Sequence, residues 1–488
     1  MKRLVSLAVA LLMALSFAVA MPAGAEDLEP YVIDYYMLTN SVSSELSTVV
    51  EAIDALIQPK FNATLNLRMI TWGDWFNIVN RDLNAGEKVD LLLTADWWQF
   101  MTGIASNYFL PLNDLMAEYA QETMEQLGEI FVVGSQVGGI NYGVPTDKEL
   151  AVNGGFLYNK TLADKYGMEI DETWTSYADW EPLLQIIKDN EPNVMPICTD
   201  GSLYHVNFIS YTACDIGWNA NNPDDPTLYY AWEAPFYTDE LHAIRDMYLK
   251  EFIPRDAVSA ETDYYNNHLQ LGDFFLTTQP LKPGKGKSTE LMSAAINKEV
   301  VYDEFDTYPL LVNTTHCGGS MLAIGSTSED PERVMMFINE MHVNPDLTNL
   351  LAWGVEGVTY TVVSENPTIV EPIEGNSWTG AVLVWTLGNV FNVHLASNEP
   401  LDKYPLLAAT KVGIPGHVAN GYRFATDDWI DTITAVNSSM DEFARPLRVG
   451  ALDTDEGLAK LIASAEAAGF RDLYAAIEAD FTAWYGAK

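Results

Sequence analysis

Basic side chains are scarce: 26 Lys and Arg stand against 68 Asp and Glu in 488 residues, a net charge of −42. A surface that acidic repels phosphate backbones and anionic headgroups, so neither a nucleic-acid partner nor a basic membrane patch is expected. Cysteine is nearly absent. Cys198, Cys214 and Cys317 allow at most one internal disulfide, and a Cys198–Cys214 bridge or buried free thiols are the alternatives. The seven His are scattered and no CxxC or HExxH occurs, so no metal and no cofactor are expected. Beyond the N-terminus no apolar run is long enough to span a bilayer. Gly380 to Ala396 comes nearest and is broken by Asn389, Asn392 and His394. No G-x-S-x-G nucleophile elbow appears.

What is present is apolar and aromatic. Hydrophobic residues make up 48% of the chain, enough for two or three domains with sizeable cores. Thirteen Trp serve either large cores or aromatic platforms in a cleft. Met1-Lys2-Arg3, an apolar stretch from Leu4 to Ala20, and Ala23-Gly24-Ala25 have the charge, length and exit chemistry of a secretory leader. Cleavage is expected near Ala25, with Ala18-Val19-Ala20 as a second site. The mature protein is therefore expected to be exported, to the periplasm or the cell exterior.

The N-terminal third alternates strand and helix. Tyr31 to Tyr36 reads as a strand, and Ser44 to Ile57 as a helix with Leu46, Val49, Val50, Ile53 and Ile57 on one face, ended by Pro59. Thr64 to Ile70 alternates like a strand, Trp72 to Leu83 is helical, and Val89 to Thr94 is an apolar strand closing on Asp96-Trp97-Trp98. Repeats of this length imply a parallel sheet with right-handed crossovers. Ligands of such sheets sit outside the carboxyl ends of the strands, where Asp96-Trp97-Trp98 falls. The C-terminus carries a helical stripe, Leu473, Ile477, Phe481 and Trp484, read as core packing. No long linker divides the chain, which favours two lobes crossed more than once.

Four blocks carry a family resemblance. Asn107-Tyr108-Phe109-Leu110-Pro111-Leu112-Asn113-Asp114-Leu115 is the first, and Tyr158-Asn159-Lys160 with Ala163-Asp164-Lys165-Tyr166-Gly167 the second. Asp330-Pro331-Glu332-Arg333, Asn344-Pro345-Asp346-Leu347 and Trp353-Gly354-Val355-Glu356-Gly357 make the third. The fourth runs from Arg445-Pro446-Leu447 through Gly450-Ala451-Leu452-Asp453 to Ala468-Gly469-Phe470. In this order they resemble an extracellular solute-binding protein of an ABC importer, of the carbohydrate-associated LipO-like group with a C-terminal domain of unknown function (DUF3502).

The resemblance implies an α/β, two-lobed periplasmic-binding-protein-like fold of type II, with the lobes joined by a multi-strand hinge. It implies residues 1–25 as leader, 26–147 and 303–330 as the first lobe, and 148–302 and 331–488 as the second, the latter including a C-terminal helical section of about 420–488. The implied function is a receptor that closes on an oligosaccharide and delivers it to ABC permease subunits in the membrane, as a monomer and without catalysis. The same fold binding a peptide or another polar solute is the alternative, followed by a secreted glycoside hydrolase. Members of the family are usually lipoproteins; this chain lacks the lipobox cysteine.

A sugar presents hydroxyls at its rim and C–H patches on its faces, so its cleft needs flat rings beside charged or amide groups. Asp96, Trp97 and Trp98 supply both, although Asp96 as a helix N-cap and a Trp in the core are the plain alternatives. Lys148 and Glu149 fall at the expected first hinge crossing, facing either ligand or solvent. Trp72 follows a strand and is a cleft candidate, whereas Trp75 begins a helix and is expected in the core. Thr39 and Asn40, just after the first strand, are candidate hydroxyl partners. Trp353 and Trp385, expected on the second lobe, stack on sugar from the opposite side or pack in the core. Tyr204, His205, Trp218 and Gln279 rank below these.

Overall fold

Tyr31–Thr39 (β1) is buried over Tyr35 to Thr39, as a central strand covered on both faces must be. The structure, a computed structural model, describes residues 28–98, 100–210, 214–260, 262–281, 296 and 299–487. The leader lies outside the described residues. Helix Leu46–Phe61 (α1) buries Val49, Ile53, Ile57 and Phe61, continuing the expected face one turn further. Pro59 does not end it: a proline that close to the C-terminus costs little of the backbone ladder, and Asn62 in the left-handed region (φ 48°) closes the helix instead.

Ala63–Thr71 (β2), helix Trp75–Ala85 (α2) and Leu91–Thr94 (β3) follow. Both β2 and β3 pair parallel with β1, as the strand–helix repeats require. Val144–Pro145 (β4) then leads to a second sheet of Asn153–Asn159 (β5), Met195–Ile197 (β6), Phe274–Leu281 (β7) and Tyr302–Asp306 (β8). The chain returns in Met321–Ile324 (β9), which inserts antiparallel between β3 and β4. The sheets are ordered β2-β1-β3-β9-β4 and β8-β5-β7-β6. These are the two α/β lobes of the expected type II fold.

Crossing segments lie side by side: Val152 bridges Leu311, and Val312 bridges Gly416. Thr410 Oγ1 accepts from the Leu150 backbone at 2.9 Å, and Lys411 ion-pairs with Asp147.

The packing divides the stretch from 331 to 488 that the sequence reading assigns to the second lobe. Helices Pro331–Val343 (α3) and Pro345–Trp353 (α4) bury Val334, Phe337, Ile338, Met341, Leu347 and Leu351 in one core with Ile33, Tyr35, Ile53 and Ile57. That stretch, through Leu387 and Val393, therefore belongs to the first lobe. The final helices, Ile430–Arg448 (α5), Thr454–Ala467 (α6) and Phe470–Gly486 (α7), pack on the second lobe. Leu473, Ile477 and Phe481 are buried there beside Trp218 and Tyr422, the core role expected of that stripe.

The three cysteines are free and buried. Among the described residues no helix is long and apolar enough to cross a membrane, and no group of three or more His, Cys, Asp or Glu is placed to hold a metal ion.

Candidate functional site

Four tryptophans converge at the carboxyl ends of the parallel strands. Trp72 follows β2, Trp97 and Trp98 follow β3, and Trp385 arrives from the late segment that packs on the first lobe. Ring centroids of Trp97 and Trp98 are 5.6 Å apart and stacked within 9°. Trp72 lies 6.4 Å from Trp97, 5.2 Å from Trp98 and 6.1 Å from Trp385, and Trp385 is also 6.1 Å from Trp97.

Trp98 is backed by Trp75 and Phe76, whereas Trp97 is 52% exposed. A half-exposed indole on a buried aromatic base presents a flat apolar face to solvent at low entropic cost. Trp75 itself is buried in the core, as expected.

Hydrogen bonds fix the edges of this platform. The Trp97 indole N–H donates to the Gly319 carbonyl at 2.7 Å, and the Trp72 indole N–H to Asn40 Oδ1 at 3.3 Å. Asn40 donates in turn to the Gly380 carbonyl (3.4 Å), and its backbone N–H to Ala381 (2.8 Å), which ties the end of β1 to the segment carrying Trp385. Thr39 is fully buried, its hydroxyl directed at the Ile70 carbonyl.

The Asp96 carboxylate does not point into open solvent. Arg423 holds both its oxygens, at 2.8 and 2.9 Å. Burial pushes the Asp96 carboxyl above its ordinary range, and the Arg423 charge pulls it back. Lys148 and Glu149 form a buried pair, Nζ to Oε1 2.9 Å, close to this group. The Cys317 thiol reports the neighbourhood: burial pushes it up to about 11, with Asp96 adding and Arg423 and Lys148 opposing. Trp353 is not brought to the site. It packs on the first-lobe core beside Tyr360 and donates to the His394 carbonyl.

The second lobe supplies a polar hollow at its hinge edge. Leu281 at the end of β7 pairs with Asn153, and Asp306 at the end of β8 with Gly155, so these carboxyl ends lie beside the crossing at Val152. Asp200 to Tyr204 follow the neighbouring end of β6 and line a cavity of about 380 Å³ with Ser210, Asp215, Tyr237, Arg445 and Arg448. That is within the range of roughly 300–1,000 Å³ typical of small-ligand pockets. Arg448 donates to Tyr237 (2.9 Å) and Asp215 (3.0 Å), and Tyr204 stands 39% exposed at the mouth. His205 is buried against Glu240, Trp218 is in the core, and Gln279 bonds the Tyr265 hydroxyl.

The sequence reading missed Arg423, Arg445 and Arg448 as site residues. The available signal was their rarity, since every basic residue in so acidic a chain has many carboxylates competing for it.

This fold and cleft define a two-lobed receptor that holds a solute between α/β lobes. Residues 44–341 match the family described as bacterial extracellular solute-binding protein, and 418–486 match a domain of unknown function, DUF3502. The chain belongs to the bacterial extracellular solute-binding protein family. It is similar to a carbohydrate ABC transporter substrate-binding protein of Streptococcus pneumoniae, 23% identical over 441 residues, covering 90% of this chain and 87% of that one. Among solved structures it resembles the N-glycan transport solute-binding protein NgtS of the same species in complex with Man1GlcNAc. There the TM-score is 0.82 at 20% identity, covering 93% of this chain and all of that one. FusA of S. pneumoniae in complex with kestose gives 0.60 at 15% identity, covering 94% of this chain and all of that one.

Proposed function

We propose that this chain is the solute receptor of an ABC importer, taking an oligosaccharide between its lobes and handing it intact to a membrane permease. The observation that carries this reading is the tryptophan platform: four indoles at the strand ends, one of them half exposed, suit the C–H faces of a sugar chain. Trp97, Trp72 and Trp385 are the stacking residues and Asn40 a hydroxyl partner. Trp98 backs the stack and Asp96 acts from beneath it. On the second lobe, Asp200, Ser202, Tyr204 and Arg445 offer the charged and hydroxyl groups that a sugar rim needs.

With a net charge of −42 the protein opposes the approach of acidic glycans, which favours a neutral cargo. The receptor acts as an exported monomer and carries out no covalent step on its ligand.

The test is a thermal-shift screen against neutral glycans, acidic glycans and peptides. A ligand that binds only the folded state stabilises it by about 2.7 kcal/mol at a hundredfold excess over its dissociation constant. A shift with one class of neutral glycan, recovered uncleaved, is expected. A shift with peptides alone overturns the substrate, and cleaved glycan overturns the receptor reading.

A further inference from the structure

Arg423 crosses from one lobe to the other. Its neighbours Tyr422 and Phe424 are buried in the second-lobe core with the C-terminal helices. Its guanidinium grips Asp96, at the end of β3 in the first lobe, through two parallel bonds of 2.8 and 2.9 Å. A third bond, 2.9 Å, goes to the Gly134 carbonyl, also in the first lobe. The two side chains are 18% and 3% exposed, so this pair is screened far less than a surface ion pair. Only arginine's planar fork satisfies a carboxylate in this two-pronged way.

Asp96 is continuous with the platform. Its backbone N–H donates to the Gly318 carbonyl at 2.8 Å, and the next residue's indole to Gly319 at 2.7 Å. Residue 318 must be glycine for this fit, because a Cβ there would stand 2.2 Å from Asp96 Oδ2. Trp98 rests on Trp75 and Phe76, beside a cavity of about 150 Å³ that Val79 and Thr94 also line. Aromatic contacts support the inner ring, and the polar clamp at Asp96 fixes the strand end that carries both indoles.

We propose that Arg423 is a positioning residue for the aromatic platform, through which the C-terminal domain of unknown function sets the ligand affinity of the opposite lobe, Arg423 itself making no contact with ligand. This rests on the tryptophans being the binding face. The clamp holds Asp96, Asp96 and the Gly318-Gly319 turn hold the Trp97 backbone and indole, and the two rings stay parallel.

The experiment compares Arg423→Gln, Arg423→Lys and Asp96→Asn/Arg423→Gln in the full protein, reading circular dichroism without ligand and, by calorimetry, the affinity for Man5GlcNAc, a glycan also seen in complex with NgtS. The stacked indoles give an exciton couplet, identified as the signal that Trp97→Ala removes. Arg423→Gln is expected to weaken that couplet by half or more and the affinity at least tenfold, with Arg423→Lys in between. In the double variant the buried charge is gone, so the melting temperature recovers while couplet and affinity stay low. A couplet and affinity within twofold of the parent in Arg423→Gln overturn the proposal. So does recovery of both in the double variant, which would make Arg423 a mere counter-charge. If Arg423→Gln does not fold, Arg423→Lys and the double variant decide by the same criteria. If the parent ignores Man5GlcNAc but its couplet still depends on Arg423, the clamp stands and the choice of glycan fails.

Discussion

Trp97 and Trp98 are neighbours in sequence and parallel in space, 5.6 Å apart, yet one ring faces solvent and the other rests on Trp75 and Phe76. The outer ring is therefore open to contact and the inner one is held by packing.

Single substitutions should separate these tasks. Trp97→Ala is expected to weaken glycan binding more than tenfold, about 1.4 kcal/mol or more, with the melting temperature within a degree or two of the parent. Trp98→Ala should lose affinity and stability together. Calorimetry and thermal denaturation on the same preparations check this; equal affinity in Trp97→Ala and the parent refutes the platform.

The C-terminal stripe is structural. Phe481 is 3% exposed and packs edge-on to Trp218 and Tyr422. Phe481→Ala should cost about 3–5 kcal/mol of unfolding free energy, measured by denaturant titration. An unchanged midpoint would place that helix elsewhere.

The Lys148–Glu149 pair tests the hinge. Removing one partner of a buried ion pair typically costs about 3–5 kcal/mol, because a buried charge loses its counter-charge. Lys148→Met should therefore destabilise strongly, and Lys148→Met/Glu149→Gln should regain most of the loss in the same titration. If the double variant is no better than the single one, the pair is not the source of the effect.

Acid should weaken the first lobe through His342. Burial lowers its pKa to about 3 from 6.5, and among the described residues neither ring nitrogen has a hydrogen-bond partner. The folded state thus binds fewer protons than the unfolded one between those values, so stability is full above about pH 6.5 and falls as pH drops toward 3. His342→Leu should flatten the melting-temperature profile in that window. A profile parallel to that of the parent would show that other groups dominate.

The strand–helix alternation and part of the candidate site were legible in the residues. The run from Val89 to Thr94 closing on Asp96-Trp97-Trp98 announces a strand end, and its chemistry marks it as a cleft edge. Trp385 was legible only as one of many tryptophans, because its contact with Trp97 spans nearly 300 positions and leaves no local trace. Helices α3 and α4 show why the lobe boundary was misplaced. Their apolar faces reveal that they pack, but a stripe of Val, Phe and Leu fits either core equally well. Trp353, quoted within a family block, belongs to that same packing. Arg423 could not be placed for a related reason: its rarity marks it, but a lone arginine between Tyr422 and Phe424 says nothing about which of 68 carboxylates it will meet.

The return of α3, α4 and the segment through Val393 to the first lobe has a temporal consequence. Ile33 and Val393 share one hydrophobic core although 360 positions separate them. A chain delivered N-terminus first cannot complete its first lobe until about four-fifths of it has emerged, and closing such long loops is slow. Until then β1 and β2 must wait with an apolar face uncovered, so the interval between emergence and closure is when this protein is most exposed to aggregation and to proteases.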